Sequence, residues 1–409
     1  MLCTMAPPLN APSGTDRSAG EGKARARKDS SRAASHRLTT PGGERLVALD
    51  VFRGLTMAAM VVVNNPGDWG HVYPPLLHAP WHGWTPTDLV FPFFLFMVGV
   101  SITLSRKTAS WTGILRRTLL LIGIGLFLNA YPRFDLAHLR WPGVLQRIGL
   151  CYGAAAALLK LQGFERPERN RGAIARNMAL AVVGLLLGYW AVMVMVPGSF
   201  GTTGDLSLEG NVAARIDRAL LAGHIYRPAY DPEGLVSTLP AIGTTLLGVL
   251  GGFWLRAPRS VAGRSGGFLV AGAGLLVMGS LWDLWLPINK PLWTGSYVLL
   301  TAGLAAMFLG ACLWLIDVRG WRIWTRPFVI LGRNALVLYV LSGLLADTLS
   351  IIHIGGGEAA PSLGTLIYQR AFVPLASPYN SSLLFALANL AVLFVILWWL
   401  HRRRLWLRV

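Results

Sequence analysis

Residues 64–88 read NNPGDWGHVYPPLLHAPWHGWTPTD and lie between two apolar runs, which cover residues 46–63 and 89–104. Each run has nearly the length of about 20 residues that a helix needs to cross a bilayer. The loop between them holds three histidines, two aspartates, two asparagines and three tryptophans. A connector between two membrane spans needs none of these side chains. We therefore expect the loop to carry the chemical groups of a site at a membrane surface.

The composition is typical of a polytopic membrane protein. Hydrophobic residues make up 54% of the 409 residues and charged residues 14%, whereas soluble domains are roughly a quarter charged. The formal net charge of +18 does not indicate nucleic-acid binding, because lysines and arginines lie in short clusters between apolar runs. The three cysteines include no CxxC pair, which argues against a disulfide framework and a cysteine metal site.

Hydropathy predicts an all-α fold with about ten transmembrane helices. The predicted spans are 46–64, 87–105, 112–130, 142–160, 174–196, 235–255, 267–286, 293–316, 326–350 and 381–400. The moderately apolar segment 360–378 is predicted to be an interfacial loop. In the long loop 197–234, residues Asn211–His224 are predicted to form a short amphipathic helix. Gly248 and Gly252 form a GxxxG face that predicts close helix packing.

The distribution of charge predicts the orientation of the chain. Residues 1–44 are rich in Pro, Ser, Gly, Ala, Lys and Arg and lack the apolar core of a signal peptide, so we expect a disordered basic cytoplasmic tail. Most of the 37 lysines and arginines lie in this tail or in segments on its side of the membrane, which places both termini in the cytoplasm. The domain 45–409 is then expected to span a bacterial inner membrane. Its outer loops are predicted at 65–86, 131–141, 197–234 and 351–380.

Ionisable residues near the ends of spans are candidates for function, because their insertion into a bilayer costs free energy. They are Asp50 and Arg53 on the inner side, and Asp88, Arg147, Asp283 and Asp347 on the outer side. Each of them also fits a cap at the interface or a pair that bridges two helices. Together with the histidines of the outer side, they predict a polar cavity that opens outward.

His78 is the leading candidate for catalysis, because a neutral imidazole accepts a proton near neutral pH. It precedes Pro80 and Trp81, which restrict the backbone and shield one side. An interfacial histidine at the start of the next span is the alternative interpretation. His78 and His82 have the spacing of a helical zinc pair, but Pro80 opposes a helix and the HExxH motif is absent, so no metal site is expected.

Several motifs follow one another along the chain. They are Arg45–Thr56, Val63–Asn64, His78–Phe94, Pro142–Gly149, Tyr230–Leu235, Ile288–Tyr297 and Gly332–Leu336. In this order they resemble the motifs of the heparan-α-glucosaminide N-acetyltransferase family, and the resemblance runs from residue 45 to the C-terminus. The match is specific for the family and less specific for the acceptor.

The resemblance implies a transmembrane N-acetyltransferase that moves an acetyl group from cytosolic acetyl-CoA, its co-substrate, to the amine of a glucosamine-type sugar on the periplasmic side. His78 matches the catalytic histidine of the family, and Asn64 is similar to an asparagine at its active site. Eukaryotic members carry an additional luminal domain that we do not expect here. We therefore expect free or short oligomeric glucosamine, or a cell-wall amino sugar, rather than heparan sulfate as the acceptor.

The predicted mechanism begins with the loss of a proton from the acceptor amine, because an ammonium group cannot attack a thioester. His78 either acts as the general base or attacks the thioester first and carries the acetyl group as an acetyl-imidazole. Asp88 or Asp68 is predicted to orient His78. Asn64 is predicted to polarise the thioester carbonyl and to stabilise the oxyanion.

Two further sets of residues are predicted to bind the substrates. The residues predicted to contact the acceptor sugar are Asp68, Trp81, Arg147, Asp231, Glu233 and Asn289. The residues predicted to bind coenzyme A are Arg53, Arg116, Arg333 and Asn334. Ordinary positive-inside orientation explains the inner arginines as well. The expected partners are an amino-sugar or glycan acceptor and the lipid bilayer, with a homodimer left open and no nucleic acid.

Two other classes of protein share some of these features. An amino-sugar transporter can also have ten spans and a polar cavity, but it predicts matching halves that we do not find in the sequence. A membrane O-acyltransferase that acts on surface polysaccharide shares the histidine and uses a hydroxyl acceptor instead of an amine.

Overall fold

The computed structural model describes residues 46–105, 110–164, 166, 170–355 and 360–403. In these ranges the chain forms α1 Val47–Asn64, α2 Val90–Leu104, α3 Trp111–Ala130, α4 Val144–Leu161, α5 Arg171–Met195, α6 Val212–Leu220, α7 Thr238–Arg256, α8 Val261–Trp282, α9 Gly295–Cys312, α10 Thr325–Arg333, α11 Ala335–Ile351, α12 Leu363–Ile367 and α13 Pro378–Arg402. No strand forms among the described residues, so the predicted all-α class is confirmed. The predicted tail, 1–44, lies outside these ranges.

The described chain has nine helices that are long and apolar enough to cross a membrane, and a bent pair of helices makes a tenth candidate. The predicted number of about ten spans is therefore confirmed. Five of these helices are mostly buried in the protein, namely α1, α2, α4, α7 and α9. In the outer four, α3, α5, α8 and α13, less than a third of the residues are buried, as in helices in contact with lipid. The inner five helices form the core in which a site can be built.

The predicted span 326–350 is divided into α10 and α11, which meet at an angle of 81°. Asn334 lies at the break, where its backbone leaves the helical region with φ −115° and ψ 29°. Its side-chain Nδ2 donates to the carbonyl oxygen of Ile330 at 3.0 Å. Asparagine competes in this way with the helical hydrogen bonds of its own backbone, which a hydropathy window does not detect. The prediction of one continuous helix was therefore wrong.

Two connecting segments contain more helix than a simple loop. The predicted amphipathic helix in the long loop is confirmed as α6, and the Asn211 side chain accepts a hydrogen bond from the backbone of Ala214 at its start. The segment 360–378 differs from the predicted loop, since α12 continues into a π-helical turn at Tyr368–Phe372. The Tyr368 ring packs edge-on against Phe385 of α13, and this contact holds the segment on the bundle.

Glycines allow two pairs of helices to approach closely. A side chain at Gly248 of α7 would collide with the backbone of Phe96 on α2, and one at Gly252 would collide with Thr103. The predicted packing role of this GxxxG face is therefore confirmed. On α1, Gly54 lies directly against the backbone of Phe328, and Gly332 of α10 lies against the backbone of Asp50 in turn.

Replacing Gly332 by alanine is expected to destabilise the fold. The added Cβ would overlap the carbonyl group of Asp50, and neither helix backbone can move without disturbing the other. Overpacking of this kind costs about 1–3 kcal/mol. Thermal unfolding of the purified protein in detergent should show a lower midpoint than that of the unmutated protein.

Gly188→Ala on α5 is the matched control, because nothing lies within 4 Å of a Cβ at that position. Its midpoint should be unchanged or higher, since alanine favours a helix by about 1 kcal/mol relative to glycine. Equal midpoints for the Gly332 and Gly188 variants would contradict the close contact between α1 and α10.

Candidate active site

A cavity of about 160 Å³ lies between α1, α2, α4 and α11. Five residues on one face of α1 line it: Thr56, Met57, Met60, Val63 and Asn64. At 1.5 Å per helical residue, the cavity follows α1 for about 12 Å, from the middle of the helix to its C-terminal end. The walls facing α1 are mainly apolar and come from Phe91, Phe94, Leu145, Ile148 and Leu336.

Polar side chains converge where the cavity reaches the end of α1. Asn64, His78, Glu233 and Lys290 all line this region. They belong to four separate parts of the chain, and the histidine comes from the loop that the sequence singled out. We refer to this side of the bundle as the His78 end and to the opposite side as the Arg53 end.

His78 is held by Asp88, with Nδ1 of the imidazole 2.7 Å from Oδ1 of the carboxylate. The other carboxylate oxygen accepts hydrogen bonds from the backbone nitrogens of Ala79 and Thr85, both at 3.0 Å. Tyr297 fixes the same turn, because its hydroxyl donates to the Asp88 carbonyl oxygen at 2.6 Å. With Nδ1 directed at a carboxylate, the neutral imidazole carries its proton there and has a free lone pair on Nε2.

Three histidine–aspartate pairs are present in the described part of the chain. His71 lies 2.7 Å from Asp68, and His138 lies 2.8 Å from Asp135. Their carboxylates are 40% and 55% exposed, whereas that of Asp88 is 1% exposed. Burial strengthens the electrostatic effect of a carboxylate, and the cavity lining includes His78 but neither of the other two histidines. Of the three pairs, the one formed by His78 is therefore the candidate for catalysis.

Lys290 completes the group around His78, although the sequence indicated it only as an outer positive charge within a motif. Its Nζ lies 3.3 Å from Asp88 Oδ1 and 3.0 Å from His78 Nδ1. The pKa of Lys290 lies below its ordinary value, because burial lowers it more than the charges of Asp88 and Glu233 raise it. The lysine comes from the loop between α8 and α9, 212 positions along the chain from the histidine. Local spacing therefore could not have identified it.

Glu233 and Asp231 are tied to Arg140, a residue that the sequence did not single out. The guanidinium Nε lies 2.9 Å and Nη2 2.6 Å from the two oxygens of Asp231, and Nη2 lies 2.5 Å from Glu233 Oε2. Burial alone would lower the pKa of Arg140, but the bond to Asp231 and the charge of Glu233 raise it above its ordinary value. Asp231 also accepts from the backbone of Tyr226 and Glu233. Glu233, in contrast, lines the cavity.

Arg147 does not line the cavity as the sequence suggested. It is fully buried, and its Nη2 donates to the carbonyl oxygen of Gly234 at 3.0 Å and to the Ser237 hydroxyl at 2.5 Å. The face of α4 that borders the cavity carries apolar residues instead, including Leu145 and Ile148. Arg147 therefore holds the turn that precedes α7.

Three other residues predicted to bind the acceptor support the loops around the site. Asn289 is buried and donates from Nδ2 to the carbonyl oxygen of Trp81 at 3.0 Å, which fastens the loop of Lys290 to the loop of His78. Trp81 donates from its ring nitrogen to the Leu206 carbonyl oxygen at 2.9 Å. Asp68 lies outside the cavity lining and pairs with His71, so of the two aspartates predicted to orient His78 the structure brings only Asp88 to it.

The Arg53 end carries the residues predicted to bind coenzyme A. Arg53 lies three residues before Thr56, the inner limit of the cavity on α1, and donates to Ser101 Oγ at 3.2 Å and to the Gly332 carbonyl oxygen at 3.4 Å. Arg333 Nε lies 3.5 Å from Asp50 Oδ2. The side-chain amide of Asn334 donates to the Ile330 carbonyl oxygen at the break between α10 and α11.

Arg116 and Arg117 differ in the direction of their side chains. Arg116 is exposed, whereas the guanidinium of Arg117 lies over the Tyr152 ring at 4.6 Å and close enough to Arg53 to act on it electrostatically. The inward arginine of this pair is therefore Arg117, and not Arg116, which the sequence analysis named.

The arrangement is suited to proton transfer beside an apolar channel. His78 offers a free ring nitrogen, Asp88 fixes its tautomer, and Lys290 supplies a positive charge. Among the described residues, no three His, Cys, Asp or Glu side chains are grouped to hold a metal ion. The ring nitrogen that His78 offers beside Asp88 and Lys290 suits general acid–base or nucleophilic catalysis.

Comparisons with known proteins agree on one family. The model of the heparan-alpha-glucosaminide N-acetyltransferase catalytic region matches residues 45–281. The heparan-alpha-glucosaminide N-acetyltransferase of Homo sapiens is 31% identical over 355 residues, which cover 72% of this chain and 52% of the human protein. That of Mus musculus is 30% identical over 354 residues, which cover 72% of this chain and 53% of the mouse protein. The chain spans about half the length of the curated relatives it matches.

Proposed function

The chain belongs to the heparan-alpha-glucosaminide N-acetyltransferase family, and from this premise we propose that it transfers an acetyl group from acetyl-CoA to the amine of a glucosamine-type sugar. The observation that carries the proposal is the pairing of His78 with the buried carboxylate of Asp88 at the head of the cavity. The cavity gives the donor a path toward this pair from the middle of the membrane domain. The acceptor approaches from the His78 end.

The reaction uses the free Nε2 of His78 as the base. It removes a proton from the acceptor ammonium, and the amine nitrogen then attacks the thioester carbon. A C–N bond forms, the C–S bond breaks, and the nitrogen loses a second proton to become an amide. Of the two protons lost by the ammonium, one ends on the coenzyme A thiolate and the other leaves to solvent. Asn64 lines the same part of the cavity, where its amide can donate to the developing oxyanion. In the alternative course, His78 attacks first and the sugar amine resolves the acetyl-imidazole.

Coenzyme A enters from the Arg53 end in this proposal. Its phosphates require positive charge, and Arg53, Arg117 and Arg333 supply it at the inner limit of the cavity. Guanidinium groups suit this task because they bind phosphate oxygens with two parallel hydrogen bonds. The pantetheine arm then follows the apolar walls toward His78. This orientation places the Arg53 end and both termini in the cytoplasm, as the positive-inside rule predicts.

The acceptor amine meets a carboxylate at the His78 end. Glu233 lines the cavity and attracts an ammonium group, and the bond to Arg140 keeps its carboxylate in place. A hydroxyl-only sugar lacks this attraction. The expected acceptor is therefore an amino sugar, free or in a short oligomer, on the periplasmic side of a bacterial inner membrane.

The proposal predicts release of coenzyme A that depends on an amine. Purified protein in lipid nanodiscs, supplied with acetyl-CoA, should release free thiol faster with glucosamine or glucosamine oligomers than with glucose or N-acetylglucosamine. Mass spectrometry should detect the acetylated sugar. Equal thiol release with all of these sugars would refute the transferase function, and preference for glucose would favour an O-acyltransferase.

Vesicles reconstituted with the protein separate transfer from transport. Labelled glucosamine should not accumulate inside them without acetyl-CoA. Uptake under that condition would support an amino-sugar transporter instead.

A further inference from the structure

The ammonium group of Lys290 lies against the ring of His78, and the distribution of charge across the membrane does not explain this contact. Its Nζ lies 3.0 Å from Nδ1 and 3.4 Å from Nε2 of the His78 ring. The lone pairs of the two nitrogens diverge in the ring plane, so an atom almost equally far from both cannot lie along either of them. The ammonium therefore lies beside the ring as a charge and does not replace Asp88 as the hydrogen-bond partner of Nδ1.

We propose that Lys290 is a positioning residue: its ammonium repels the proton that His78 accepts, so that the imidazole passes this proton on to the coenzyme A thiolate. This inference rests on the proposed function for its last step. The first step, control of the protonation state of His78, depends only on the geometry.

The charges around His78 favour one cation beside Asp88 rather than two. Asp88 contributes one negative charge within 2.7 Å of the imidazole, and Lys290 lies 3.3 Å from the same carboxylate oxygen. A protonated His78 would place a second positive charge against Lys290 at 3.0 Å. Two like charges at this separation in a partly buried site repel strongly.

The other charged groups of the site lie farther from the imidazole. Glu233, from the loop before α7, shares its negative charge with Arg140, which also binds Asp231. Glu233 acts on Lys290 and helps to keep it protonated. Because electrostatic energy falls with distance, the contact with Lys290 outweighs the effect of Glu233 on His78.

The transfer provides a use for this arrangement. A base that stays protonated after the first proton transfer would block the next turnover, and the leaving thiolate needs a proton. Lys290 raises the free energy of the imidazolium and thereby favours movement of its proton to sulfur. Of the two protons that the ammonium loses, one thus ends on coenzyme A and the other leaves to solvent, and the site returns to its starting charge.

The test compares Lys290→Met, which removes the charge and keeps the length, with Lys290→Arg, which restores the charge. The acidic limb of the pH profile of kcat/KM should move to higher pH by about 1–3 units in the methionine variant. In the arginine variant it should stay close to that of the unmutated protein. Thermal unfolding of each variant reports whether it is folded.

A second measurement does not depend on activity. The rate at which diethyl pyrocarbonate modifies His78, followed by peptide mass spectrometry across pH, reports how much of the imidazole is neutral. His71 is the internal reference, because it has the same 2.7 Å contact with an aspartate and lies outside the cavity lining. The midpoint for His78 should move to higher pH in Lys290→Met, and the midpoint for His71 should not move.

Unchanged midpoints for His78 in the methionine variant would overturn the role of Lys290, even if activity falls equally at every pH. Failure of the unmutated protein to acetylate any amino sugar would instead remove the proposed function. In that case the modification experiment still decides whether Lys290 controls the protonation of His78.

Discussion

His78→Ala is expected to reduce acetyl transfer by about 10²- to 10⁴-fold, the contribution that a positioned general base makes to a reaction. The loss should appear in kcat, because the imidazole acts on the proton of the reacting amine and the cavity around it remains intact. Steady-state release of thiol with glucosamine measures this effect. A covalent role for His78 would make the loss larger, since the main path would be removed altogether.

His71→Ala is the matched control for this variant. His71 belongs to the same loop and has the same 2.7 Å contact between Nδ1 and an aspartate, but it lies outside the cavity lining. Its replacement should leave kcat within about twofold of the original, because the side chain does not line the cavity. The fold should also persist, since surface substitutions seldom change stability by more than about 0.5 kcal/mol. A His78→Ala variant with activity close to that of His71→Ala would show that His78 is not the base.

Labelled acetyl-CoA without acceptor distinguishes the two courses of the reaction. An acetyl group trapped on His78 by rapid denaturation would exclude direct transfer as the only route. If the histidine remains unlabelled while the sugar becomes acetylated, the amine attacks the thioester directly.

Asp88→Asn is expected to lower kcat by about 10⁴-fold, the effect of the same change in a buried histidine–aspartate pair of a hydrolase. An asparagine amide can donate a hydrogen bond to Nδ1, which places the imidazole proton on Nε2. The nitrogen that should accept the proton of the amine would then already carry one. The Asp88→Asn variant should therefore have a lower kcat although the shape of its site and its binding of acetyl-CoA are unchanged.

Asp68→Asn is the corresponding control, because Asp68 holds His71 in the same way with a 40% exposed carboxylate. It should keep full activity. If both aspartate variants lose activity to the same degree, the effect comes from the shared loop and not from the tautomer of His78. Intact binding of acetyl-CoA to Asp88→Asn, measured by calorimetry, would separate catalysis from loss of structure.

Hydropathy predicted the spans because the physical requirement is local: about 20 apolar residues must cover the thickness of a bilayer. The break at Asn334 has no signature in hydropathy, since one side chain that bonds to the backbone changes the direction of a helix without changing its average hydropathy. The segment 360–378 was misjudged for a different reason. Its helical turns are held by contacts with α13 that no local pattern reveals.

The candidate site was predictable in its centre and less so in its surroundings. His78 and Asn64 came from motifs, whereas sequence reasoning left Asp68 and Asp88 open, and only the structure shows that Asp88 contacts His78. Lys290 depends on a contact across 212 positions, which only the packed helices create. Arg147 was misplaced because spacing along a helix does not show which face turns toward a cavity.

The apolar wall of the cavity has a consequence for the proton gradient across the membrane. Met57, Met60 and Val63 line it along α1, and side chains of this kind offer few of the two to four polar partners that an ordered water requires. A file of such waters would conduct protons through the protein. In the proposed reaction a proton crosses only as the thiol hydrogen of departing coenzyme A, one for each acetyl group transferred, so the wall acts as electrical insulation against a proton current through the cavity.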